Sequence, residues 1–368
     1  MNNVPRITQE TMDQFAQLTG REYKLYEYYG AEDAEKITVI MGSGAGAVKE
    51  TVDYLNINGQ KVGVVIVRLF SPMNVNAFVN AIPKTVKSIA VLDRTKEPNG
   101  VGEPLYMNVI NALNETDNVI RPKVIGGRYG LSSKEFTPTM VVAIYNELSN
   151  EKPKNHFTIG IEDDVTHSSL SYDRNFNLEE QHLFRGLFYG LGADGTVSAN
   201  KNSIKIIGDE TDYHVQGYFV YDSKKSGSLT TSHLRFGKSP IQSTYLINSA
   251  NFIACHHFNY LTIYDILKYA VEGATFLLNT PYEKDELWDR IPKKVQEEIV
   301  HKKIKFYAIN AYTVAKEAGM GNRINTILQT CLNKKKNIIQ REEAIAKIKE
   351  AAYKTYSNIG DEKKKKNY

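Results

Sequence analysis

The chain has 368 residues, a formal charge of +4, 42% hydrophobic and 24% charged residues, and two cysteines. That apolar content suffices for two or three folded cores; so few cysteines exclude a disulfide framework, and no nucleic-acid-binding signature accompanies the small positive charge. No apolar run approaches the ~18–20 residues of a membrane span and Met1-Asn2-Asn3-Val4-Pro5 is no signal peptide, so a cytoplasmic protein without membrane or nucleic-acid partners is expected.

In chain order, 37–41 reads as a short buried strand, after which Gly42-Ser43-Gly44-Ala45-Gly46-Ala47 opens a helix to about Leu55. Residues 62–69 form a uniformly apolar strand, the habit of parallel sheets. A helix at 74–81, a strand at 88–92, a helix at 103–113 and a strand at 123–125 follow. Thr137-Pro138 starts a further helix, 151–155 reads as a loop and 156–160 as extended. In the second half, strands are predicted at 218–221, 244–247, 252–254, 275–278 and 304–308. Residues 231–235 alternate, as an edge or site-facing strand would. Helices are predicted at 263–271, 284–288, 293–300, 314–318 and 323–330. Alternating units of this kind imply an α/β chain of two doubly wound domains with mainly parallel sheets.

The stretch from Gly190 to Lys201 concentrates the chemistry. A strand ending in Leu187, Phe188 and Tyr189 feeds Gly190, Gly192, Asp194, Gly195 and Thr196, then a helix that carries Asn200 and Lys201. Glycines let a ligand approach the backbone. Asp194 or Thr196 can cap a helix whose amide groups and dipole favour an anion. A phosphate-bearing ligand is expected there.

Other candidates are weaker. The turn at 42–47 matches the relaxed dinucleotide fingerprint. The strand that should end in an acidic residue ends instead in Val67-Arg68-Leu69-Phe70, so a tight βα turn is favoured over NAD. Asp93-Arg94-Thr95-Lys96-Glu97 follows a strand's carboxyl end and reads as an ion-pair network more readily than a ligand site. Glu162, Asp163 and Asp164 cannot all face one ion from an extended segment, which favours capping. Cys255-His256-His257 lacks a second cluster to complete four metal ligands, so Cys255 reads as a small buried hydrophobe and no metal is expected.

The glycine stretch, together with 221–227, Thr231-Ser232-His233-Leu234-Arg235-Phe236-Gly237, Pro240-Ile241-Gln242-Ser243-Thr244-Tyr245, Val91-Leu92-Asp93-Arg94-Thr95-Lys96-Glu97-Pro98, Gly127-Arg128-Tyr129-Gly130-Leu131 and 156–164, resembles pyruvate:ferredoxin (flavodoxin) oxidoreductase. The resemblance covers about residues 18–330, the internal second and third domains of that family. It implies that 1–30 are a residual linker and 31–150 a domain similar to the C-terminal domain of transketolase. It further implies a linker at 151–171, a coenzyme A-binding γ-type domain at 172–360 and a basic tail at 361–368.

By the same resemblance, coenzyme A would use Gly192, Asp194, Gly195, Thr196 and Asn200 of the glycine stretch. Lys201, Lys224 and Lys225 would supply positive charge, and Ser226 a small surface beside the pantetheine arm. Arg235 would clamp phosphate or hold a domain-interface carboxylate. Thiamine diphosphate, Mg2+ and [4Fe–4S] clusters are implied only for the complete enzyme, held by missing domains or subunits, and no catalytic residue is expected here. Ferredoxin or flavodoxin would be the electron partner, the assembly a homodimer, and the location cytoplasm or, in an anaerobic eukaryote, a hydrogenosome-like organelle. A γ-like subunit of a split 2-oxoacid oxidoreductase and a non-catalytic binding or remnant protein are the alternatives.

Overall fold

The computed structural model describes residues 1–116, 121–179, 182–192, 194–221, 229–317, 324, 327 and 328. Two compact units divide the chain: Met1–Leu178 with Gln242–Tyr245, and Glu179–Ile241 with Leu246–Tyr368.

In the first unit, helix α1 (Val4–Thr19) and strand β1 (Tyr26–Gly30) precede β2 (Lys36–Met41), α2 (Gly44–Ile57), β3 (Val62–Val67), α3 (Val75–Asn80), β4 (Ser88–Asp93), α4 (Pro104–Glu115), β5 (Lys123–Arg128), α5 (Pro138–Glu147) and β6 (Phe157–Thr158). The sheet order is β1-β3-β2-β4-β5-β6. All neighbours are parallel except β1, which runs antiparallel to β3. β3 and β4 are buried along their whole length because helices cover both faces. Ile40, Val64 and Leu92 pack with α2 and α5 on one side, and Val39, Val65 and Val91 with α3 and α4 on the other. Period-two strands with both faces apolar thus give the doubly wound form. Residues 1–30, expected as linker, instead supply α1 and an edge strand. Tyr26, Tyr28 and Tyr29 suit a pleated strand better than a solvated tether.

In the second unit, β7 (Phe184–Leu191), α6 (Thr196–Glu210), β8 (His214–Tyr221), β9 (Leu229–Gly237), β10 (Ala250–Cys255), α7 (Tyr260–Ile263), β11 (Ala270–Asn279), α8 (Lys284–Arg290), α9 (Lys293–His301), β12 (Lys305–Ile309) and α10 (Ala311–Glu317) follow. The order is β12-β11-β10-β7-β9-β8, with β9 antiparallel to both its neighbours and the other pairs parallel. Phe184, Phe188, Leu234 and Phe252 pack with Ile207 of α6 on one face. Leu187, Ile253, Phe276 and Leu278 pack with α8 and α9 on the other.

Three local readings change. Residues 231–235 belong to β9, an internal strand rather than an edge. Residues 244–247 form no strand: Tyr245 is buried in the first unit's core and Ile247 in the second's, so their alternation reflects two separate burials. The helix expected at 263–271 does not form: α7 ends at Ile263, and although Ile266, Leu267 and Ala270 keep helical spacing, a turn over 266–269 leads into β11 at Ala270. The helix predicted at 323–330 and the basic tail lie outside the described residues, apart from isolated positions.

Candidate functional site

Both sheets reverse their strand order beside the first strand of the parallel set, and ligands of open α/β sheets gather outside the carboxyl ends of strands at such a point. In the second unit that point lies between β7 and β10, whose ends are Leu191 and Cys255. The ladder continues one residue past β10, where His256 N donates to Tyr189 O at 2.9 Å.

Asp194 organises the turn after β7. Its carboxylate accepts from Leu191 N at 2.8 Å and from Thr196 N at 2.7 Å, which ties the strand's end to the first residue of α6. Gly195 is the N-cap, with φ +86°, a left-handed conformation suited to glycine. His257 Nε2 lies 3.3 Å from Asp194 Oδ2. Burial pushes the Asp194 carboxyl up, but the hydrogen bonds from His257, Thr196 and Leu191 outweigh it and hold the group at about 2.

Thr196 is fully buried, and its Oγ1 lies 2.7 Å from His256 Nδ1. Gly190 makes room for it: a Cβ at Gly190 would stand 2.5 Å from Thr196 Oγ1. Burial drives the His256 imidazole down to about 4, so the ring is neutral at physiological pH. The third strand end contributes Asn279, whose Nδ2 donates to His256 O and whose Oδ1 accepts from Ala311 N, each at 2.9 Å. The ends of β7, β10 and β11 thus form one hydrogen-bonded seat for the N-terminus of α6.

Of the ten residues singled out in the sequence, Gly192, Asp194, Gly195 and Thr196 meet at this turn. Asn200 lies one helical turn on, buried against the sheet. Lys201 is exposed and its Nζ sits over the Phe219 ring at 5.3 Å. Arg235 is not brought to the turn. Strand pairing sets Leu191 opposite Leu229, and Arg235 lies six residues further along β9, roughly 20 Å away at about 3.3 Å per residue. There its Nε donates to Glu179 Oε1 at 2.6 Å and its Nη1 to Gln216 Oε1 at 2.9 Å. Lys224, Lys225 and Ser226 lie outside the described residues. The sequence reading missed the role of His256 and His257, because it treated Cys255-His256-His257 as a strand in isolation. Their meaning depends on β10 lying next to β7.

A family model for pyruvate ferredoxin/flavodoxin oxidoreductase matches residues 185–360, and one for pyruvate:ferredoxin oxidoreductase core domain II matches 34–140. The chain is 59% identical to pyruvate-flavodoxin oxidoreductase of Trichormus variabilis, over 97% of this chain and 30% of that protein. It is 52% identical to pyruvate:ferredoxin oxidoreductase of Moorella thermoacetica, again over 97% of this chain and 30% of the relative. The chain belongs to the pyruvate:ferredoxin (flavodoxin) oxidoreductase family. It spans less than a third of the length of these curated relatives.

Elsewhere in the chain the other candidate residues have structural work. The turn at Gly42 is covered by the chain itself: Thr244 Oγ1 donates to Ser43 O at 2.8 Å, and a Cβ at Gly46 would lie 2.4 Å from Gln242 O. Asp93 caps α4, accepting from Leu105 N at 2.9 Å and Tyr106 N at 3.0 Å. Asp163 caps its own loop through the amides and hydroxyls of Thr166 and Ser168, which hold its carboxyl far below the usual carboxylate range. Cys255 is fully buried, and burial raises its thiol to about 12. Among the described residues no group of three or more His, Cys, Asp or Glu side chains is arranged to hold a metal, and no helix is long and apolar enough to cross a membrane.

Proposed function

We propose that this chain serves as the second and third domains of a pyruvate:ferredoxin (flavodoxin) oxidoreductase, and that its second unit receives coenzyme A at the turn before α6. In this reading the complete enzyme converts pyruvate and coenzyme A to acetyl-CoA and CO2 and delivers the electrons to ferredoxin or flavodoxin. The family membership and the 30% share of its relatives' length support a division of labour with other domains. Those domains would hold thiamine diphosphate, Mg2+ and [4Fe–4S] clusters, with this portion packing against the thiamine site in a homodimer. Bound there, thiamine diphosphate supplies the electron sink for decarboxylation; this chain's residues bind and orient coenzyme A and exclude water.

The observation that carries the coenzyme A assignment is the N-terminus of α6, set at a strand-order reversal and built on Gly192 and Gly195. The first turn of a helix leaves its amide groups without intrahelical acceptors, and Asp194 takes only one of them. The remaining amides and the helix dipole favour a diphosphate. Asp194 is turned inward, with a side chain 13% exposed and three hydrogen-bond partners, which lessens its opposition to an incoming anion. Lys224 and Lys225 remain the sequence-based choice for the ribose 3′-phosphate.

Calorimetric titration of the purified chain tests this reading. Coenzyme A is expected to bind saturably, dephospho-coenzyme A more weakly and NAD not at all. Gly192→Val, which puts a branched side chain where the ligand must approach, is expected to weaken coenzyme A at least about tenfold. A folded chain that gives no heat with coenzyme A would sink the assignment of a self-sufficient site.

A further inference from the structure

Beneath α6 the second unit carries a polar layer of buried side chains, Thr196 and Asn200 of the expected coenzyme A set among them. The face of α6 buried on the sheet reads Thr196, Asn200, Ser203, Ile207, so its first two turns are polar and only the third is apolar. Strand pairing aligns the sheet below. Gly190 lies opposite Thr230 and Phe188 opposite Ser232, while Gly186 lies opposite Leu234. Thr196 sits over Gly190, as the close approach of its hydroxyl to the Gly190 Cβ position requires. The helix runs back along β7, and one turn advances about as far as two strand residues. Asn200 therefore stands over the Phe188–Ser232 pair, and Ile207 further along, over the apolar end. His256 closes the layer at the Thr196 end through its contact to Thr196 Oγ1.

Four polar atoms in this layer, Asn200 Nδ2, Thr230 Oγ1, Ser232 Oγ and His256 Nε2, are buried without a hydrogen-bond partner among the protein's own groups. Each parent residue is at least nine-tenths buried, with exposures of 5%, 2%, 0% and 3% in that order. Buried polar atoms in native proteins are almost always satisfied, by protein or by ordered water. These four need both donors and acceptors, since hydroxyls, an amide and a neutral imidazole differ in what they offer. Water donates and accepts alike, and an internal water typically takes about three polar partners.

We propose that the seam between α6 and strands β7, β9 and β10 is an internal hydration site holding about two ordered waters, which bridge Asn200, Thr230, Ser232 and His256. The N-terminal turns of α6 then rest on a hydrogen-bonded water layer, while the remainder of the helix is anchored by apolar contact.

Two measurements test the proposal on the full chain. A high-resolution crystal structure is expected to show water within hydrogen-bond distance of Ser232 Oγ and His256 Nε2. Thr230→Val and Ser232→Ala, which remove a hydroxyl with little change of shape, are expected to lower the urea midpoint, because each strips a partner from bound water. A dry seam gives the opposite sign: deleting an unsatisfied hydroxyl raises the midpoint. Density in which the four side chains bond one another, or a raised midpoint in both variants, overturns the hydration site.

Discussion

Gly190 and Thr196 show how one missing methyl group fixes the geometry of the candidate site. With a Cβ at Gly190, Thr196 Oγ1 and its own Cβ would be met at 2.5 and 2.7 Å, so the first residue of α6 would have to move. Gly190→Ala is therefore expected to destabilise the chain by about 1–3 kcal/mol, the usual cost of overpacking. It should also disturb the Thr196–His256 contact. Urea unfolding together with the His256 imidazole resonance checks both effects, and a variant with unchanged stability would mean the strand and helix separate more easily than their packing implies. Titration adds a second residue-scale expectation. His256 and His233 are both held at about 4 by burial, below the ordinary 6.5, so the folded state binds fewer protons than the unfolded chain between those values. Their contribution is complete above pH 6.5 and is lost as pH falls towards 4. Asp194, at about 2 against an ordinary 3.8, adds a contribution present above pH 3.8 and lost as pH falls through 2, worth about 2 kcal/mol. The urea midpoint should thus decline from pH 6.5 downward, and His256→Gln should make that decline shallower. A slope indifferent to the substitution would show that His256 titrates as a free imidazole.

At the scale of elements, legibility followed the range of the forces involved. β3 and β4 were readable because an unbroken apolar run has one economical solution, a parallel strand covered on both faces. The glycine turn was readable as a strand-to-helix turn because caps and left-handed glycines are local requirements. His256 and His257 were not, since their role arises only when β10 lies beside β7, a pairing between residues more than sixty positions apart. Arg235 was open between a phosphate and a carboxylate, and its Nε donates to a carboxylate, that of Glu179, 56 positions away. The segment from Ile266 to Ala270 carried a helical spacing that tertiary burial, and not a helix, had produced. Gly46 offers a test of one such long-range element. Gln242–Tyr245 belongs to the first unit, where Tyr245 and Ser243 bond Glu50 of α2 and a Cβ at Gly46 would strike Gln242 O. Because the obstruction is backbone, Gly46→Val should displace this segment, and amide exchange at 242–245 and in α2 should rise. Unchanged exchange in a folded variant would show that the segment does not depend on close approach at Gly46.

At the scale of the whole molecule, cysteine arithmetic decides what the chain can do alone. A [4Fe–4S] cluster takes four thiolates, and the chain has two cysteines in 368 residues. One of them, Cys255, is fully buried in the second unit's core, and burial raises its thiol to about 12, so it offers no thiolate at physiological pH. On the proposed reading, the cluster chemistry of the complete enzyme belongs to domains other than those of this chain. The purified chain, treated anaerobically with iron and sulfide, is expected to show no cluster absorption and no pyruvate-dependent reduction of a viologen dye. The same preparation should still unfold cooperatively in urea, since each unit has apolar cores on both faces of its sheet. Folding without redox activity is the outcome expected of a binding and scaffolding portion. Cluster absorption or pyruvate-dependent electron transfer from the pure chain would instead require a redox centre assembled between copies, and would overturn the assignment of all cluster chemistry to other domains.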